Sequence, residues 1–208
     1  FTTLTQAGLI AYSGGSSAGL GVCLNALPAP TRSAPDGMFT PPLAGAWGVP
    51  HYFTVREIYE STSLEAAATA VRRATRAIPA SNMLTTPQGP ATLEVTPDAV
   101  CVQTSPATGI VVHTNHCLEP ELTPFNSQFP ELIQSCDRLS RVQSLLEAQP
   151  GPLTIPQAIT LLQSILSNHA DYPRSLCRHA NDDPAHGFWQ TVFSVIISPE
   201  AAEMWISR

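Results

Sequence analysis

The sequence predicts an α+β fold in which helices pack outside antiparallel sheets. Along the 208 residues, hydrophobic spacing follows the order strands, helices, strands, helices, strands, without the strand–helix alternation of a parallel sheet. Hydrophobic residues make up 43% of the chain, enough for the core of one ordinary domain. The 20 prolines are dispersed between periodic segments, which indicates a loop-rich chain rather than a disordered one. We therefore expect a single folded domain over residues 1–208.

Charge and hydropathy exclude two classes of partner. The formal net charge is -6, and the ten Lys and Arg residues form no basic stripe, so nucleic acid is not expected as a partner. No apolar run reaches the roughly 18 residues of a membrane span. Five cysteines, an odd number at irregular spacings, favour reduced thiols and a cytoplasmic location. The peroxisome is the alternative if the source is a fungus.

The first segments predict a hairpin and a long loop. Two apolar runs in residues 7–27 flank a Gly-Gly-Ser-Ser-Ala-Gly stretch, which we interpret as the turn. Residues 28–50 contain six prolines and no periodicity. Because long loops in compact domains are often functional, we expect this one to border the substrate pocket.

The remaining segments alternate between helical and extended spacing. Thr62 and Glu65 have the spacing of a capping box, and the helix that they begin is predicted to end at Pro79. Extended runs predict an antiparallel meander of four strands, at 81–85, 91–96, 99–104 and 109–114. Helices are then predicted at 130–148 and 155–167, and strands at 191–198 and 203–207.

Three segments, in this order, resemble the isopenicillin N acyltransferase family of the N-terminal-nucleophile hydrolases, also called the acyl-coenzyme A:6-aminopenicillanic acid acyltransferases. They are Ser17-Ala18-Gly19-Leu20 with Asn25-Ala26-Leu27, Val112-His113-Thr114-Asn115-His116-Cys117, and Asp171-Tyr172-Pro173 with Ser175-Leu176-Cys177-Arg178. A fourth, Ser135-Cys136-Asp137-Arg138, resembles the helix that follows the His-Thr-Asn-His segment in that family.

The resemblance implies an αββα four-layer sandwich, self-cleavage of a precursor, and a new N-terminal cysteine that attacks the substrate. Phe1 carries no nucleophile, so we expect the nucleophile strand upstream of Phe1 and the end of the domain beyond Arg208. The predicted function is that of an acyltransferase or amide hydrolase that cleaves or forms C–N amide bonds through a cysteine thioester. The alternative is a non-catalytic binding or assembly module on the same scaffold.

The same resemblance implies the catalytic residues. Asn115 and Asn25 would donate side-chain amide hydrogens to the oxyanion, and Arg138 would favour the thiolate of the nucleophile. The alternatives are strand caps for the two asparagines and a solvated helix face for Arg138. His186 falls where the family has a substrate contact, so we expect His186 and His113 to bind substrate. The substrate need not be a β-lactam.

We expect no metal and no bound cofactor. Imidazole and thiolate are natural zinc ligands, but the spacing of His113, His116 and Cys117 is poor for a zinc site. The expected partners are a small amide or acyl-thioester, with acyl-coenzyme A as the candidate acyl donor, and the chain's own processed N-terminal segment. A membrane is excluded, and homo-oligomerisation is left open.

Overall fold

The computed structural model describes residues 1–29, 48–105, 107–128, 131–149 and 151–207. Most of the 28–50 loop lies outside these residues, so its predicted role stays a prediction. The chain divides into two compact units, Phe1–Glu131 with Ile197–Glu203 and Leu132–Ile196 with Met204–Arg208. The assignment of residues 1–208 to a single domain stays a prediction.

The first unit is built on a six-stranded antiparallel sheet with strand order β1-β2-β3-β4-β5-β6. Its strands are β1 (Thr2–Leu4), β2 (Ser13–Gly15), β3 (Gly21–Ala26), β4 (Ala80–Thr86), β5 (Gly89–Val95) and β6 (Val100–Thr104). The predicted meander is confirmed for β4, β5 and β6, which are joined by short turns. Together with the helices, this sheet confirms the α+β class, while the four-layer sandwich stays a prediction.

The fourth predicted meander strand, at 109–114, is wrong. Within the described residues, this segment joins no sheet. Thr108 Oγ1 bonds both the amide and the carbonyl of Ile110, at 3.2 and 3.3 Å, so a side chain satisfies backbone groups that a neighbouring strand would otherwise pair. A local hydrogen bond thus replaces the ladder that the β-branched sequence predicts.

The hairpin predicted at 7–27 is confirmed, but its turn is shorter than predicted. Gly14 and Gly15 lie inside β2, and the chain turns later, at residues 17–19. A Cβ on Gly14 would lie 2.1 Å from the Thr2 carbonyl oxygen, because β1 passes very close to this strand. Gly14 therefore serves a close strand approach, while Gly19, with a φ of 82°, serves the turn.

Two helices, α1 (His51–Glu60) and α2 (Leu64–Arg73), cover one face of the sheet. The core consists of apolar side chains from both helices and from alternate strand positions, among them Val55, Ile58, Ala67, Val71, Val22, Leu84, Leu93 and Val95. Helix α1 is not among the elements that the sequence predicts.

Both ends of α2 differ from the prediction. Ser63, not Thr62, is the N-cap, and its hydroxyl accepts the Ala66 amide hydrogen at 3.2 Å. The helix ends at Arg73 instead of continuing to Pro79, because the Arg76 guanidinium donates to carbonyls of the last turn, including Val71 at 3.0 Å. Helix-terminal carbonyls commonly take such basic partners.

The second unit contains α4 (Ser135–Glu147) and α5 (Ile155–Leu166), which confirm the two helices predicted there; the short α3 (Phe125–Gln128) belongs to the first unit. Strands β7 (Ser194–Ser198) and β8 (Glu203–Ser207) pair as the predicted closing strands, and residues Ile197–Glu203 of this hairpin are assigned to the first unit. Helix α5 begins at a capping box formed by Thr154 and Gln157. In the described part of the chain, no helix is long and apolar enough to cross a membrane.

Candidate functional site

A row of polar and thiol side chains crosses the central strands of the sheet. Asn25 on β3 pairs with Ser81 on β4, Ser81 pairs with Glu94 on β5, and Glu94 pairs with Cys101 on β6. Residues in register across neighbouring strands point to the same face. Because Leu93 and Val95 point to the helices, this row lies on the opposite face.

Glu94 anchors this face, and it is fully buried. Its Oε1 accepts the Leu118 amide hydrogen at 2.6 Å, and its Oε2 accepts the Glu119 amide hydrogen at 3.1 Å. The same Oε1 lies 2.7 Å from His113 Nε2. A buried carboxylate costs much free energy unless it is paired and hydrogen-bonded, and three partners meet that demand here. Glu94 thereby fastens the segment that contains Asn115 to the sheet.

His113 connects Glu94 to the asparagines, and its side chain has no exposed surface. Its Nδ1 lies 2.6 Å from the Thr114 carbonyl oxygen, which accepts only, so Nδ1–H is the donor in that contact. Asn25 Nδ2 lies 3.4 Å from the same Nδ1. Since the Nδ1 hydrogen already points to Thr114, the contact with Asn25 is packing more than hydrogen bonding.

The end of β3 brings the two predicted oxyanion donors together. Asn115 Nδ2 donates to the carbonyl of Ala26, the residue after Asn25, at 3.2 Å. This bond fixes the plane of the Asn115 amide beside the strand end. Asn25, Asn115 and His113 therefore form one cluster in the first unit, which we call the strand-end cluster. Whether its members act on substrate stays a prediction.

Three thiols of the first unit are unsuited to nucleophilic attack. Burial, with a smaller contribution from Glu94, raises the pKa of the Cys117 thiol to about 12. Burial also raises the pKa of Cys101, with a smaller contribution from nearby carboxylates, and burial raises the pKa of Cys23. Because the thiolate is the attacking form, thiols held protonated at neutral pH are poor nucleophiles.

The other two predicted site residues lie in the second unit. Arg138, in the first turn of α4, donates from Nε to the Ile133 carbonyl at 2.8 Å. His186 lies in a tight loop, where its backbone amide and that of Ala185 donate to Asp183 Oδ1 at 3.0 and 2.8 Å. These backbone bonds hold the pKa of the Asp183 carboxyl below its usual value. The predicted roles of Arg138 and His186 stay predictions.

Glu94 is absent from the site residues predicted from the sequence, although a signal for it is present. In the run Ala91-Thr-Leu-Glu-Val95, apolar residues alternate with Thr92 and Glu94, which predicts a plain strand. When an acidic residue on a central strand points its side chain away from the hydrophobic core, the carboxylate requires either solvent or a buried partner. Here the partner is His113.

Comparison with known proteins identifies the family. The family model described as acyl-coenzyme A:6-aminopenicillanic acid acyl-transferase matches residues 43–207. A curated relative from Emericella nidulans, the acyl-coenzyme A:6-aminopenicillanic-acid-acyltransferase 40 kDa form, is 28% identical over 198 residues. That match covers 93% of this chain and 48% of the relative, so the chain spans about half the length of the relative. The family match includes the sheet strands β4, β5 and β6 and the segment that carries Asn115. The chain therefore belongs to the acyl-coenzyme A:6-aminopenicillanic acid acyl-transferase family.

Proposed function

We propose that this chain is the oxyanion-binding part of an acyltransferase or amide hydrolase that works through a cysteine acyl-thioester. The attacking cysteine belongs to a segment upstream of Phe1 and becomes an N-terminus by self-cleavage. The observation that carries the proposal is the family match over residues 43–207. The strand-end cluster supports it, because its members are residues that the family resemblance implies for the site. The acyl donor is acyl-coenzyme A or an amide.

The reaction has two halves. The thiolate attacks the acyl carbon, and the carbonyl oxygen becomes an oxyanion toward which the Asn115 and Asn25 amide hydrogens point. Collapse of this intermediate expels the coenzyme A thiol or an amine and leaves the thioester. An amine or water then attacks the thioester through a second oxyanion, and the cysteine is released. An oxyanion donor that is fixed before the reaction needs no reorganisation, which makes it effective in the transition state.

In this proposal, His113 positions the donors and does not itself contact substrate. It is fully buried between Glu94 and Thr114, so substrate would reach it only after the cluster opened. Its ring contacts Asn25 at 3.4 Å, and Glu94 holds the ring. This revises the direct substrate contact expected for His113 to a positioning role. His186 remains the candidate substrate contact in the second unit.

The raised pKa values of Cys23, Cys101 and Cys117 support a nucleophile elsewhere. A resident thiol that attacked a thioester would need to ionise near neutral pH, and burial opposes this at all three positions. The proposal places the attacking thiol on a further cysteine upstream of Phe1, and the relative, at about twice the length of this chain, has room for such a segment. The exposed Cys136 is tested separately.

Mass spectrometry of the full-length protein tests the proposal. We expect denatured protein to separate into two chains, and brief incubation with a medium-chain acyl-coenzyme A to add one acyl group to the new N-terminal cysteine. Cys136→Ser serves as a matched control, since Cys136 is exposed and has no assigned role. Acylation that disappears with Cys136→Ser would contradict the proposal. A single unprocessed chain that neither binds an acyl group nor cleaves an amide would favour the non-catalytic module.

A further inference from the structure

The loop that follows α5 brings together three side chains with metal-ligating atoms. His169, Cys177 and His179 each offer one such atom, and the three atoms lie within 4.8 Å of one another. Among the described residues, this is the one group of three or more His, Cys, Asp or Glu side chains with that property. All three residues belong to the second unit, and none of them is assigned to the acyl-transfer site.

Hydrogen bonds hold the backbone at these positions. The Cys177 amide donates to the Asn168 carbonyl at 3.0 Å, which ties the second ligand to the residue before the first. The Tyr172 amide donates to the His169 carbonyl at 3.2 Å, and Asn181 Nδ2 donates to the His179 carbonyl at 3.0 Å. The three side chains are therefore brought together by the folded loop and do not depend on a metal to meet.

The two imidazoles face each other through the same ring atom. His169 Nε2 and His179 Nε2 lie 2.8 Å apart, the ring planes are 9° from parallel, and the ring centroids are 4.9 Å apart. Without a metal, one Nε2–H donates to the other Nε2. Zinc–nitrogen bonds of about 2.0–2.1 Å in a tetrahedral site place two nitrogens about 3.3 Å apart. The rings must therefore separate by about half an ångström and tilt, so that the two Nε2 lone pairs converge on the ion instead of pointing at each other.

We propose that His169, Cys177 and His179 bind a zinc ion through two imidazole Nε2 atoms and one thiolate. Two imidazoles and a thiolate suit zinc and other borderline transition metals, whereas magnesium and calcium prefer oxygen ligands. On binding, the Cys177 thiol loses one proton to solvent, and the imidazole that donated from Nε2 exchanges that proton through solvent for one on Nδ1, so that both Nε2 lone pairs face the ion. This site departs from the expectation of no metal, which rested on His113, His116 and Cys117.

The surroundings leave room for a fourth ligand. The three residues line a cavity of about 690 Å³ together with residues of α5 and of the β7–β8 hairpin, including Trp205. Zinc sites with three protein ligands keep the fourth position for water or an incoming group, while closed structural sites use four protein ligands. The fourth ligand here is thus water or a small thiol or carboxylate that enters the cavity.

The spacing of the three ligands explains why the sequence does not reveal this site. Seven residues separate His169 from Cys177, and one separates Cys177 from His179, which matches no finger-like pattern. The loop reverses between the first two ligands, and this reversal cannot be read from residue spacing. The family resemblance, moreover, covers Cys177 as part of a Ser-Leu-Cys-Arg segment and gives no ligand role to it.

Cobalt titration of the full-length protein tests the proposal. Cobalt(II) replaces zinc in such sites and reports a thiolate ligand by a charge-transfer band in the near ultraviolet. We expect the band to saturate at one equivalent, and zinc to remove it by displacement. Cys177→Ser should abolish the band, and His179→Gln should weaken zinc binding by about 10²-fold, since even residues behind the ligands affect affinity by 10–100-fold. Cys136→Ser, at an exposed position of helix α4 in the same unit, should leave both the cobalt band and the zinc affinity unchanged.

Three results would overturn the proposal: no thiolate band at saturating cobalt, a band that survives Cys177→Ser, or a band lost with Cys136→Ser. If no thiolate band appears at saturating cobalt, His169 and His179 form only a hydrogen-bonded pair. Far-ultraviolet circular dichroism and urea midpoints without metal verify that each variant is folded. If a ligand variant does not fold, the test is made on the parent protein. Binding of one zinc ion must raise the urea midpoint of its unfolding, and a chelator must reverse that rise. The test is independent of the acyl-transfer activity.

Discussion

Replacement of Glu94 by glutamine tests whether the buried carboxylate holds the strand-end cluster in place. Glutamine has nearly the same shape, but it replaces one acceptor oxygen with an NH2 group. With its oxygen at the Oε1 position, the substituted side chain would keep the contacts with His113 and Leu118 and would set its NH2 against the Glu119 amide hydrogen. The Glu94→Gln variant thus loses one hydrogen bond to a charged group and leaves a buried donor without an acceptor.

The expected loss follows from those two effects. A hydrogen bond to a charged group contributes about 1.5–3 kcal/mol, and a buried unsatisfied donor costs about 1–3 kcal/mol. We expect Glu94→Gln to lower the free energy of unfolding by about 3 kcal/mol in urea titrations. The matched control is Glu121→Gln, an exposed glutamate of the same unit, for which a change within about 0.5 kcal/mol is usual. A Glu94→Gln change no larger than that of the control would refute the anchoring role.

Three further predictions concern other parts of the first unit. Because its pKa is about 12, the Cys117 thiol should resist alkylation by iodoacetamide from pH 7 to 9, whereas the exposed Cys136 should react. Peptide mass spectrometry measures both alkylation rates. Equal rates would contradict the burial of Cys117. Gly14→Ala should cost about 1–3 kcal/mol by overpacking against β1, and an unchanged thermal midpoint would rule out the close approach of the strands. Burial lowers the pKa of His51 from 6.5 to about 4. As the pH falls, His51 therefore takes up a proton in the unfolded chain before it does so in the folded one. The free energy of unfolding should drop by about 3 kcal/mol between pH 6.5 and 4. His51→Gln should flatten that part of the pH profile, and an unaltered slope would contradict the assignment.

The sequence predicts those elements whose signal is local. The meander of β4, β5 and β6 follows from alternating residues and proline-containing turns, and the periodic spacing after Thr154 marks α5. Prediction fails where side chains compete with backbone pairing. Thr108 satisfies Ile110 and removes the strand expected at 109–114, and Arg76 ends α2 early.

The candidate site is predictable only in part, for the same reason. The family resemblance points to Asn25, which lies near the end of β3, and to Asn115, which donates to the carbonyl of Ala26 at that end. Their support from Glu94 depends on register across strands and on a chain segment that returns over the sheet, neither of which residue spacing encodes. The grouping of His169 with Cys177 depends likewise on a folded loop.

The kinetics of Asn115→Ala in the full-length, processed protein test the central claim most directly. If the Asn115 amide donates to the oxyanion, kcat should fall by about 10²–10³ with little change in KM, because the bond strengthens mainly in the transition state. Asn115→Asp should be at least as harmful, since a carboxylate would repel the oxyanion and also the Ala26 carbonyl that the amide now contacts. A kcat within about threefold of the parent, with a stability loss of more than about 2 kcal/mol, would make Asn115 a structural cap of β3 and contradict the account.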